Sequence, residues 1–222
     1  PELIDYLPHE AREALSGLKL NGRINGEFSV DFRRQGPLDF DVNMALSGAD
    51  IEWIDGGVLL EQTNLFVHID PEGGTFRDLS ALLWNGLARG EGKVRFDSDG
   101  FRRLRLWFQV NDVQVSSILA QVAPEYGPRP GRISGDVRLY GDLRDPRKLT
   151  ALGTLELKES AIYEFPLFAK VFAALSLSFD KPETIRSGRV VFRVDFEKKL
   201  VVIERISVQS PNVELSGKGW IG

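Results

Sequence analysis

The stretch Gly188–Ile221, GRVVFRVDFEKKLVVIERISVQSPNVELSGKGWI, decides the fold. From Gly188 to Phe196, the residues Val190, Phe192, Val194 and Phe196 alternate with Arg189, Val191, Arg193 and Asp195. That is the period-two signature of a strand with one buried face. Glu197 to Lys199 supply a turn, and Leu200–Gln209 resumes as a strand rich in β-branched residues. Ser210, Pro211 and Asn212 then punctuate the chain before a third strand, Val213–Ile221. The three make a meander.

The segment ahead of this meander predicts a helix. Phe165, Phe168, Ala169, Phe172 and Leu175 share one helical stripe, while Leu167, Val171 and Ala174 make the opposite side apolar too. Such a helix needs cover on most sides, as a plug against the sheet or as a cap on an apolar groove. At about 12 residues it is too short to cross a bilayer, which takes roughly 20.

Toward the other end the same alternation runs longer. Leu18 to Arg33 keeps Leu18, Leu20, Gly22, Ile24, Gly26, Phe28, Val30 and Phe32 on one parity and polar residues on the other. Ordinary strands run about 5 or 6 residues, so this length implies a strongly curved sheet or a kink at Gly22 and Gly26. After a turn at Arg34 to Pro37, Leu38, Phe40, Val42, Met44 and Leu46 repeat the pattern, which predicts a hairpin. Shorter strands are expected at 51–54, 58–60, 65–69, 76–84, 87–96, 101–110, 132–140 and 149–157. Two further short helices are expected, at Tyr6–Ser16 and at Asp112–Val122 with Asn111 or Asp112 as its N-cap. The loop Pro124–Gly131, with three prolines and two glycines, is the best internal boundary, but the β pattern is the same on both sides, so residues 1–222 read as a single domain.

Composition narrows the function. The 222 residues are 42% hydrophobic, enough for a substantial core, and 32 acidic against 28 basic residues give a formal charge of −4. That balance offers a polyanion such as nucleic acid no broad attraction. The absence of cysteine removes disulfides, thiolate metal sites and a cysteine nucleophile. No leader precedes Pro1 and no apolar run reaches spanning length, so a targeting segment is expected outside this stretch.

No catalytic motif emerges, and no cofactor or metal is expected. Gly217, Gly219 and Gly222 spell GxGxxG without the helix that a dinucleotide site requires, and read better as strand glycines. Asp39 with Asp41, and Asp97 with Asp99, read as solvated acids, the second pair lacking the later glutamate of a calcium loop. His9 and His68 are the only histidines, neither spaced to a second ligand, and His68 is expected to face out. The basic clusters Arg102, Arg103, Arg105 and Arg144, Arg147, Lys148 read as solvated faces or edge guards, with contact to lipid headgroups as the alternative. Trp53, Trp84, Trp107 and Trp220 would be sugar platforms only if coplanar, exposed and beside paired carboxylates.

The runs GRISGDVRLYGDLRDPRKLTALGTLELKESAIYEFPLFAKVFAAL (131–175) and RSGRVVFRVDFEKKLVVIERISVQSPNVELSGKGWIG (186–222) resemble the C-terminal region of the AsmA-like family of bacterial envelope proteins. The helix VNDVQVSSILAQV (110–122) ahead of GRISGDV is similar to that family's preceding unit. The likeness covers the second half of the chain, and the first half in style. It implies a repeating β-groove: an elongated curved sheet with an apolar lining, anchored in the inner membrane by another segment and projecting into the periplasm. The implied partners are phospholipid acyl chains and other envelope proteins, and the implied role is phospholipid transport or outer-membrane homeostasis. The N-terminal membrane anchor of the family is not in this stretch.

The expected fold is thus mainly β, a long curved antiparallel sheet forming an open groove or half-barrel with two or three short helices. The expected function is non-enzymatic. Phe28, Val30, Phe32, Phe40, Val42, Phe192, Val194 and Phe196 are expected to line the groove, with Phe165, Phe168, Phe172 and Leu175 capping it. A β scaffold working through protein partners in envelope assembly, its apolar face sealed by a second sheet, is the rival.

Overall fold

A computed structural model describes residues 18–31, 39–53, 57–97, 100–122, 124–143, 145–160, 185–211 and 214–221. The predicted helices at 6–16 and 165–175 lie outside these residues, as does Phe32. Eleven strands form one antiparallel sheet in strict chain order. They are β1 (Leu18–Asp31), β2 (Asp39–Trp53), β3 (Val58–Asp70), β4 (Gly73–Leu83), β5 (Gly86–Asp97) and β6 (Gly100–Gln114). After a helix, α1 (Val115–Val122), come β7 (Arg132–Gly141), β8 (Thr150–Ser160), β9 (Ile185–Asp195), β10 (Leu200–Gln209) and β11 (Glu214–Ile221). The sheet is not closed into a barrel. It runs without a break across the proline-rich 124–131 loop, because β6 and β7 pair directly.

Local chemistry explains the turns. Trp84 and Asn85 both have positive φ, 48° and 60°, the geometry of the two-residue hairpin turn that matches strand twist. Asp70 folds the β3–β4 turn by accepting from the backbone N–H of Glu72 at 2.8 Å and of Gly73 at 2.9 Å. Asp195 does the same for the β9–β10 turn, accepting from Lys198 N at 3.0 Å.

The register shows where the sequence misleads. Met44 pairs with Val67 and Leu46 with Leu65, then Ala49 with Thr63 and Ile51 with Leu60. The inward positions change from even to odd within β2, and the slip falls at Gly48, where φ is +58°. Comparable shifts fall at Gln62 in β3, Asp78 in β4 and Asp112 in β6, all with positive φ. Each is a β-bulge, which bends the strand and increases its twist. Residues 51–53 are therefore not a separate strand but the end of β2, and the two strands expected at 58–60 and 65–69 are one. Likewise α1 starts at Val115: Asp112 is a bulge residue inside β6 and not an N-cap. At the kink expected at Gly22 and Gly26, β1 inserts no residue: the register shift between Asn21 and Arg23 is the extra residue of β2 at Gly48, and Gly26 lies in regular register with Met44.

Through these slips the main apolar row stays on one face. Val113, Val115 and Leu119 are buried where β6 passes into α1, which is tied to the β4–β5 turn. There Trp84 Nε1 donates to Gln121 Oε1, and Asn85 Nδ2 donates to Ser117 Oγ at 2.9 Å. A Cβ on Gly48 would meet nothing within 4 Å, so its substitution costs backbone strain alone. We expect Gly48→Val to lower unfolding free energy by about 1–2 kcal/mol, the cost of a left-handed conformation for a side-chain-bearing residue. Urea denaturation checks this, and an unchanged midpoint would remove Gly48 as the source of the slip.

Candidate functional site

Tracing the apolar face strand by strand gives a continuous lining. Val42, Met44 and Leu46 of β2 lead to Val67 and Ile69 of β3, then Phe76, Leu79 and Ala81 of β4. Val94 follows on β5, then Leu104, Leu106 and Phe108 of β6 and Val137 and Leu139 of β7. Leu155 and Leu157 of β8, Val190 and Phe192 of β9, and Ile203 and Val208 of β10 continue it to Leu215 of β11.

Three glycines fall on this face opposite large side chains. Gly90 faces Phe108, Gly92 faces both Phe76 and Leu106, and Gly153 faces Phe192. Phe76 and Phe108 stand two strands apart, about 10 Å across a flat sheet, yet their ring centroids are 6.1 Å apart. The rings lean over the glycines of β5. A side chain there has no room: a Cβ on Gly90 would lie 2.8 Å from the Phe108 ring.

At the other end of the sheet the face encloses a hollow of about 400 Å³, apolar throughout, drawn from five consecutive strands, β7 to β11. Leu155, Val190, Phe192, Val194, Val201 and Ile203 form most of its wall. Five strands span about 19 Å, so a shared hollow requires the apolar face to be concave here. Its volume is within the roughly 300–1,000 Å³ of sites that take one small ligand.

The groove residues expected from sequence divide as follows. Phe192 and Val194 line the hollow. Phe40 and Val42 are half-buried on the same face at the far end, where Phe28 pairs by register with Val42 and Val30 with Phe40. Phe196 lies one residue beyond β9, in the turn, and is 39% exposed. The capping residues Phe165, Phe168, Phe172 and Leu175 lie outside the described residues. Among the described residues no second sheet faces the first, and no helix is long and apolar enough to cross a membrane.

The opposite face is polar and holds what sequence spacing missed. His68 is half-buried there, its Nδ1 3.0 Å from Asn43 Oδ1 and its Nε2 3.2 Å from Asp70 Oδ2. Asn43 Nδ2 donates to Asp41 Oδ1, which turns the amide oxygen toward the imidazole. Both ring nitrogens thus face acceptors, and both bonds form together only when the ring carries two protons. The partners come from β2 and β3, joined by register and not by spacing. Among the described residues no group of three or more such side chains is placed to hold a metal ion. The tryptophans are dispersed: Trp84 turns toward α1, Trp107 stands on β6, and Trp220 is 73% exposed on β11.

The chain matches no family model, no curated protein and no solved structure.

Burial alone would raise the Asp70 carboxyl, but the Glu72 amide, the His68 ring and the Gly73 amide outweigh it and hold the group below its usual range. A depressed carboxyl contributes stability that is complete above its unfolded value, about 3.9, and is lost as pH falls through the lower folded value. Asp70→Asn is therefore expected to lower the melting temperature near neutral pH, with the difference shrinking below about pH 4. Paired thermal melts across that range check it, and a deficit constant into acid would contradict the assignment.

Proposed function

We propose that this chain is a non-enzymatic segment of a bacterial cell-envelope protein that shields lipid acyl chains along an apolar trough. It would serve phospholipid transport or outer-membrane homeostasis. The observation that carries the reading is the apolar hollow over β7 to β11, set in a concave face that no second sheet covers among the described residues. The resemblance of residues 131–222 to the C-terminal region of AsmA-like envelope proteins supports the same reading. On it, the parent protein is anchored in the inner membrane through another segment and this chain lies in the periplasm.

The mechanism is transfer from water to an apolar wall. Each methylene removed from water contributes about 0.8 kcal/mol, so eight sheltered methylenes offset about 6 kcal/mol of exposure. The wall offers acyl chains shape and dispersion without a directional partner, so it would hold many chains and slide along them. The second reading, a β scaffold acting through protein partners in envelope or outer-membrane protein assembly, is favoured by the edges of β1 and β11, unpaired among the described residues, and by exposed Trp220.

Native mass spectrometry of the protein purified from membranes is expected to show phospholipid adducts. Val190→Asp and Phe192→Glu should reduce them at least tenfold, given about 1.5–3 kcal/mol per buried apolar side chain. A photocrosslinker at Phe192 should label lipid, and one at Arg193, on the other face, should not. Absence of adducts, with crosslinks only to protein at Phe192, would replace the trough with the scaffold.

A further inference from the structure

The face opposite the trough carries a second hollow, of about 850 Å³, among β4, β5, β6 and β7. Register places its principal side chains on the polar face: Lys93 opposite Arg105, Arg105 opposite Tyr140, and Trp107 opposite both Glu91 and Arg138. Glu91 is the one acid in the wall. Arg77, also in the wall, is already engaged by Asp78 at 3.8 Å and by the Phe66 ring at 4.4 Å. Lys93, Arg105 and Arg138 form no ion pair with a described residue.

Like charges directly opposite each other in an antiparallel pair are destabilising. Here that occurs twice in succession, Lys93 against Arg105 and Arg95 against Arg103. The two pairs lie about 7 Å apart along the strands. On a chain of net charge −4 this is a local excess of cations, bounded by Asp41 and Asp70 on one side and by Asp136 and Glu156 on the other. Cations that repel one another become favourable where an anion sits between them. Trp107 and Tyr140, the latter 44% exposed, add two aromatic faces beside them.

We infer that this hollow binds a short acidic saccharide, its carboxylate or phosphate groups on Lys93, Arg105 and Arg138 and its ring faces on Trp107 and Tyr140. The cations unpaired among the described residues are confined to three strands and have acids on both sides, which suits a short anion rather than the continuous charged plane of a bilayer. A single-stranded nucleic acid needs successive stacking platforms along a basic track. The other aromatics in the Trp107 row are Phe66, three strands and about 14 Å away with its ring already covered by Arg77 at 4.4 Å, and Trp220, five strands and about 24 Å away in the opposite direction. The site is on the other side of the sheet from the trough and stands whether or not the trough holds lipid.

Calorimetric titration of the full chain with a mannuronate tetrasaccharide at low ionic strength tests the inference, with maltotetraose as the neutral control. The acidic sugar should bind, more weakly in high salt, and the neutral one should not. Arg105→Gln should weaken binding about tenfold and Lys93→Gln/Arg105→Gln further, each lost cation removing one charge-assisted contact. Trp107→Ala should also weaken it tenfold or more. Lys93→Thr should meanwhile raise the melting temperature by about 1–3 °C, because one repulsive pair is gone. No binding by the unaltered chain would overturn the inference, as would binding unchanged in Trp107→Ala. Capture by phosphatidylglycerol vesicles or by oligo-dT in place of the sugar would overturn it equally.

Discussion

The structure depends on one constraint: the main apolar row of every strand in a single sheet must reach the same face. In a strand successive side chains point to opposite faces, so one extra residue sends all that follow to the wrong side. The eleven strands meet this constraint across their full width although several contain an extra residue. In β2 the inward set is Val42, Met44 and Leu46 before Gly48, and Ala49 and Ile51 after it. In β10 it is Val201 and Ile203 before the slip, and Ile206 and Val208 after it. The amino-acid pattern changes phase where the backbone does, so the bulges are written into the sequence as fully as the strands are.

Bulges and glycines together give the sheet its shape. Slips at Gly48, Gln62, Asp78 and Asp112 fall on four of the five strands from β2 to β6 and bend that part of the sheet. Glycines on the apolar face then let rings from neighbouring strands close over it, as Phe76 and Phe108 do. The product is a wall whose inside is apolar and whose outside carries spaced cross-strand ion pairs, such as Arg189 with Glu156 at 3.8 Å and Arg193 with Glu204 at 3.9 Å. Such exposed pairs contribute little stability each, so cohesion rests on the backbone ladder and the inner face. Among the described residues no second layer covers the inner face of this sheet, and that is the physical basis for proposing it as a shelter for acyl chains.

The long alternations were legible from the amino acids. Period two places Leu18 to Asp31, Asp39 to Leu46 and the closing meander, and the mainly β class follows from them. The open groove is instead what the family resemblance implies, the pattern alone leaving a closed sandwich beside it. Illegible were the strands that change phase: a slip at Gly48 or Gln62 looks like a loop when only one strand is considered, so β2 and β3 were each divided. Asp112 reads as a helix N-cap because aspartate is a favoured N-cap residue, but its φ of 54° is that of a bulge and not the extended backbone of an N-cap. Of the site, Phe192 and Val194 were found from their parity, and Phe196 shared that parity but falls beyond the end of its strand. The partners of His68 and the cations opposite one another on β5 and β6 were invisible, because both depend on which strand neighbours which and in what register.

The most direct test of the one-sided sheet uses the chain's lack of cysteine, which permits single nitroxide labels without background. Labels placed one by one from Met44 to Ile51 would be measured for collision with oxygen and with a water-soluble nickel complex. The account predicts shielding from nickel at 44, 46, 49 and 51 and access at 45, 47 and 50, with the period slipping once at Gly48. An unbroken even-numbered period through residue 50, or equal shielding of both parities by a second layer, would contradict it.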